Sequence, residues 1–119
     1  MRHPHRLSLL LAIGLSGLSA SALAGEALSG CVELSGSQQV SRFGTQYVLV
    51  ADGSDYYRLG VSSSCDGLQL ATRFDISAEG QSGKICPSGT RVKLNKDECK
   101  VNSVERIDET AYARYTRRR

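Results

Sequence analysis

The sequence predicts an all-β fold, with room for one short helix: a small antiparallel β-barrel or sandwich of five to six strands, stapled by disulfides. Three observations predict it. The stretch Phe43 to Val61 (FGTQYVLVADGSDYYRLGV) reads as a β-hairpin. Further short alternating segments follow at close intervals, each bounded by Gly, Ser, Asn or Asp, which is the pattern of a small sandwich or barrel. Four cysteines stand downstream of what reads as an export leader, a combination typical of disulfide-stapled exported domains.

The first 24 residues are expected to lie outside the fold. Arg2 and Arg6 make a positive start, Leu7 to Leu18 is an apolar run, and Ser19 to Ala24 ends in Ala-Leu-Ala. These are the three regions of a secretory signal peptide, with cleavage near Ala24. The apolar run falls short of the ~20 residues of a membrane span. A competing reading is Leu28-Ser29-Gly30-Cys31, which has the form of a lipobox and would make the protein a lipoprotein anchored through Cys31. Gly25 and Glu26 separate it from the apolar run, and lipidation would leave an odd number of cysteines. Ordinary cleavage is therefore preferred, giving one domain, residues 25–107, in the periplasm or secreted.

Within that domain Leu34 to Ser41 is polar and reads as a loop or a weak strand start. Gly44 to Val50 is rich in β-branched and aromatic residues. Alternation places Phe43, Thr45, Tyr47 and Leu49 on one face and Gln46, Val48 and Val50 on the other. Asp52 to Asp55 supplies turn chemistry. Tyr56 to Val61 resumes the alternation, with Tyr57, Leu59 and Val61 on the buried face. Leu68 to Ile76 also alternates, with Leu68, Leu70, Thr72, Phe74 and Ile76 on one face, which favours a strand over a helical turn near Cys65. Ser77 to Lys84 is a polar loop. Thr90 to Leu94 is a strand with Val92 and Leu94 inward. Glu98 to Ile107 reads as a last strand with room to drift into a helical turn. A barrel is preferred to a sandwich because closure removes edges.

Cys31, Cys65, Cys86 and Cys99 are the cysteines of the domain. Four cysteines permit three pairings; the preference is for Cys65–Cys86 with Cys31–Cys99. Each bridge would contribute on the order of 3 kcal/mol.

Of the 15 Lys and Arg, two lie in the leader and four in the last six residues. The body between is mildly acidic, so a nucleic-acid-binding core is not expected. The end of the chain, residues 108–119, reads as a basic disordered tail. Arg114, Arg117, Arg118 and Arg119 would give it a weak contact with an anionic surface, each worth ~1 kcal/mol at most.

Both histidines, His3 and His5, are in the leader, so a Ser-His-Asp or Cys-His site is not expected in the domain. No cysteine pair has the close spacing of a zinc site, and there is no C-x-x-C. Ser62-Ser63-Ser64 lacks the surroundings of a nucleophile elbow. Asp52, Asp55 and Asp66 lack the spacing of a calcium loop. No catalytic residue, metal or cofactor is assigned. Tyr47, Tyr56 and Tyr57 are the candidate binding platform, of the kind small barrels use for sugars or extended chains.

Tyr57, Leu59, Cys65, Leu68, Cys86, Cys99, Val101, Val104 and Ile107 together form a pattern: a Y-x-L strand, spaced cysteines, and Cys-x-Val-x-x-Val-x-x-Ile. From Cys31 to Ile107 the chain resembles a family of small exported, cysteine-containing domains of unknown function from Gram-negative bacteria. That resemblance implies an exported envelope domain and assigns no activity or site residue. The expected function is non-enzymatic binding of an envelope component or protein, or a structural role there. The alternatives are an inhibitor of an envelope-directed hydrolase, using Ser77 to Lys84, and a small hydrolase using clustered carboxylates.

Overall fold

A computed structural model describes residues 25–63 and 65–117; the expected leader, Ser64, Arg118 and Arg119 lie outside the described residues. The strands are β1 (Glu26–Ala27), β2 (Val32–Glu33), β3 (Gln39–Phe43), β4 (Tyr47–Asp52), β5 (Asp55–Val61), β6 (Asp75–Ala78), β7 (Gln81–Ser82), β8 (Lys84–Ile85), β9 (Thr90–Lys93) and β10 (Glu98–Ile107). A 3-10 helix (Asp66–Leu70) follows β5, and helix α1 (Glu109–Arg117) closes the described chain. The fold is mostly β, as expected. β3, β4, β5, β6, β9 and β10 are the strands of four or more residues.

The organising strand is β10. One of its edges pairs antiparallel with β5, as in Val104 opposite Leu59 and Ile107 opposite Tyr56. Its other edge pairs first with β9 (Cys99 opposite Val92) and then with β1 (Glu26 opposite Arg106). The main sheet runs in the order β3-β4-β5-β10-β9-β6-β7, and β2 pairs with β8 beside it. All pairings are antiparallel. The sheet curls into a half-barrel, with β3 and β7 as its two ends.

The inner face carries the main core. Val48, Val50, Tyr57, Leu59, Leu68, Ile76, Ile85 and Val92 are almost completely buried there, with Leu28, Val61, Val101 and Val104. Each large apolar side chain so buried contributes roughly 1.5–3 kcal/mol. Tyr57, Leu59 and Val61 are inward, as the alternation requires. Val48, Leu49 and Val50 are all fully buried although neighbours in a strand point to opposite faces. Leu49 is buried on the outer face because α1 lies over it: Leu49, Ile107 and Ala111 form a second cluster with Phe43, Tyr47, Tyr56, Tyr112 and Tyr115.

Four expectations are corrected. The hairpin is part of a three-stranded meander. Its first turn is Gly44-Thr45-Gln46, where Gly44 takes φ 60° and the Gln46 N–H donates to the Phe43 carbonyl (3.3 Å); Thr45 is therefore in a turn and not on the strand face. Leu68 to Ile76 is not one strand. Residues 66–70 wind into the 3-10 helix, which buries Leu68 and leaves Leu70 87% exposed. Cys65, just ahead of that helix, is bonded to Cys99.

The pairing of the cysteines is Cys31–Cys86 and Cys65–Cys99, not Cys65–Cys86 with Cys31–Cys99. Sheet register is the reason. Val61 opposite Val101 brings the end of β5 beside the start of β10. Val32 opposite Ile85 brings Cys31 beside Cys86.

The end of the chain is helical from Glu109 to Arg117 rather than a disordered tail. The Asp108 carboxylate accepts the Ala111 N–H (2.8 Å) and so caps the first turn. Glu109 in the first turn and Arg114 and Arg117 in the last suit the helix dipole. Nine residues are too few for a helix to persist alone in water; the apolar side chains docked on β4 and β5 hold it.

Candidate functional site

The meander and α1 together create a groove. The outer face of β3, β4 and β5 carries Gln39, Ala51 and Tyr56 near its turn end, and α1 crosses above them. Between the two elements lies an open groove of about 410 Å³, lined by Ser37, Gln39, Tyr56, Glu109, Tyr112 and Thr116 among others. Tyr56 and Tyr112 form its aromatic wall, with ring centroids 4.9 Å apart and planes tilted by 37°. Both are half-buried. The rest of the lining offers an amide, a carboxylate and hydroxyls.

The three tyrosines of the expected platform do not share a surface. Tyr56 lines the groove. Tyr57, its neighbour in β5, points the opposite way and is 1% exposed in the core. The Arg106 guanidinium, itself exposed and paired with Asp55, lies 5.0 Å from its ring centroid. Tyr47 is on the groove side of the sheet but lies under α1, where Tyr115 meets it edge-on at 5.7 Å and Phe43 at 5.2 Å. The Arg58 guanidinium sits 4.9 Å from the Tyr47 ring and 5.6 Å from Tyr115. It donates to the Tyr115 hydroxyl and pairs with Glu105. This cation between two rings and a carboxylate anchors the helix.

Tyr112 and Gln39 were not singled out in the sequence. Tyr112 had a signal: Asp108 before an Ala-Tyr-x-x-Tyr spacing, acid first and base last, is a helix pattern. Gln39 had none, because its place follows from the register of β3 against β4 alone.

Arg114 and Arg117 are exposed on α1; Arg118 and Arg119 are outside the described residues. Asp52 accepts hydrogen bonds from the backbone N–H and hydroxyl of Ser35, and Asp55 pairs with Arg106 at 3.2 Å. Both turn acids therefore have structural partners. Among the described residues, the cluster of metal-ligating side chains is Cys31, Glu79 and Cys86, whose donor atoms lie within 4.8 Å of one another. Its two sulfurs are joined in the Cys31–Cys86 bond. Among the described residues no helix is long and apolar enough to cross a membrane. Comparison with protein-family models, with curated proteins and with solved structures found no match.

Proposed function

We propose that this chain is an exported envelope domain that acts by binding rather than by turnover, and that the groove between α1 and the meander is its binding surface. Its occupant on this reading is a hydroxyl-rich envelope chain of the saccharide class. The observation that carries the reading is the groove's chemistry: the half-buried rings of Tyr56 and Tyr112 beside the Gln39 amide and the Glu109 carboxylate. Aromatic carbon suits the apolar face of a sugar ring, and planar amides and carboxylates suit pairs of hydroxyls.

Export, with cleavage near Ala24 into the periplasm or medium, belongs to the same proposal, as does the kinship with small exported domains of Gram-negative bacteria. Two disulfides are consistent with an oxidising compartment. Cleavage ahead of Cys31 for lipidation fits less well. It would remove Leu28, buried in the core with its N–H bonded to the Val104 carbonyl (2.9 Å), and it would require the Cys31 sulfur that Cys86 holds.

The test is co-sedimentation of the oxidised protein with peptidoglycan sacculi and with lipopolysaccharide. Binding to one of them that Tyr56→Ala weakens at least about tenfold, the loss of ~1.4 kcal/mol, supports the reading. A folded parent that binds neither overturns it.

A second reading, inhibition of an envelope-directed hydrolase, draws support from the shape of residues 77–84. They form a tight β6–β7 hairpin whose Glu79 is tied to Lys84 (2.7 Å), a firm projection rather than a loose loop. Inhibition of a lysozyme-type enzyme, lost on changing Gln81 and Ser82, would favour it.

A further inference from the structure

The two disulfides differ in what surrounds them. Cys65 and Cys99 are both buried, 3% and 4% exposed, beneath the β5–β10 pairing. In the other bond Cys86 is buried at 2% while Cys31 is exposed. A thiolate approaching from solvent therefore meets one exposed cysteine among the four, and exchange requires access to the sulfur attacked.

Glu79 flanks that bond. One of its carboxylate oxygens is 3.9 Å from the Cys31 Sγ and the other 2.7 Å from the Lys84 Nζ. Among the described residues Glu79 is the one non-glycine residue at positive φ, 52°. It occupies the two-residue turn between β6 and β7 with Gly80, a place where Asn or Gly is ordinarily found. A long acidic side chain there costs about 1 kcal/mol or more in backbone strain. Its position sets a carboxylate beside a disulfide.

We propose that Cys31–Cys86 is a thiol–disulfide exchange site for exported thiols, with Cys31 as the sulfur attacked and Glu79 as the proton carrier. A thiol RSH gives its proton to the Glu79 carboxylate, and the thiolate attacks the Cys31 Sγ. The RS–Sγ bond forms and the bond to Cys86 breaks. Its electron pair leaves on the Cys86 sulfur, which takes the proton back from Glu79. One thiol and one disulfide become one mixed disulfide and one thiol. A second RSH attacks the mixed disulfide, releases RSSR and leaves Cys31 as a thiol whose S–H can donate to Glu79. Opening this bond frees the β2–β8 corner, while Cys65–Cys99 still ties β5 to β10. The site lies on residues 31, 79 and 86 and does not depend on the groove.

The experiment is timed exposure of the folded, oxidised protein to glutathione, followed by alkylation and peptide mass mapping. The expected product is glutathione on Cys31 with Cys86 alkylated, formed at least about tenfold faster than any opening of Cys65–Cys99. Opening of both bonds at one rate, attachment at Cys65, Cys86 or Cys99, or no product in the folded protein overturns the proposal. The role of Glu79 is read from Glu79→Gln. Its reaction with glutathione is expected to slow about a hundredfold, the low end for a lost proton-transfer group, while its reaction with an uncharged phosphine, which brings no thiol proton, keeps the parental rate. An equal change in both rates, or in neither, removes Glu79 from the mechanism.

Discussion

Replacing Tyr115 with alanine separates a docked helix from a loose tail. The Tyr115 ring meets Phe43 edge-on at 5.2 Å and 80°, and Tyr47 at 5.7 Å and 63°. Edge-to-face pairs contribute about 0.5–1.5 kcal/mol each beyond area. Its ring also shares the Arg58 cation, about 0.5 kcal/mol at a partly exposed site, and its hydroxyl accepts from Arg58, a bond worth about 1 kcal/mol net. These groups are partly exposed, so the lower ends of the ranges apply and the sum is roughly 2–3 kcal/mol. The helix has nine residues and little stability of its own. Losing about 2 kcal/mol should lower its docked population and speed amide hydrogen exchange at Tyr112 to Arg117 about thirtyfold. The β5 and β10 amides should change far less, because the inner core is untouched. Arg114→Ala, on the exposed side of the same helix, should leave the rates as they are. The assay is hydrogen exchange followed residue by residue by NMR. Amides of 112–117 that exchange at unprotected rates in the parent, or that keep their protection in Tyr115→Ala, would refute the docking of α1.

Other outcomes follow from single contacts. A Cβ at Gly60 would stand 2.5 Å from the Ser103 Oγ across the β5–β10 pair, so Gly60→Ala should destabilise by about 1–3 kcal/mol; in urea unfolding, adding Ser103→Ala should restore much of the loss. Removing Cys65–Cys99 by a double change to alanine opens a loop of sequence separation 34, which costs about 4 kcal/mol in the chain-entropy account and should appear as a lower urea midpoint. Asp108→Ala deletes the cap on the Ala111 N–H; a loss of about 1 kcal/mol in helix protection is expected, and no change at Ala111 would count against the cap.

The inward stripe Tyr57, Leu59, Val61 and the whole of β10 were legible because alternation at period two is a local property, written in consecutive residues. The turn at Asp52 to Asp55 was legible for the same reason, since Gly53 takes the positive φ (66°) that a two-residue hairpin turn asks for. That the fold is mostly β, and that four cysteines would pair, also followed from pattern and composition. The disulfide partners did not. They depend on which strands lie side by side, and the two-residue strands β2 and β8 leave no periodicity to read. The groove was hidden for a related reason. It requires Tyr56 and Tyr112, 56 positions apart in the chain, to meet across a helix and a sheet, and no local pattern encodes a distance of that kind. Leu68 to Ile76 shows the opposite failure: its alternation was real, yet its first residues belong to a 3-10 helix that follows the disulfide-bonded Cys65. The sequence by itself determined which residues are apolar, how they alternate and where the chain turns. Only the tertiary structure decided which strands became neighbours, and hence which sulfurs met, which tyrosine was buried and which face α1 covered, because those choices are set by long-range register and packing.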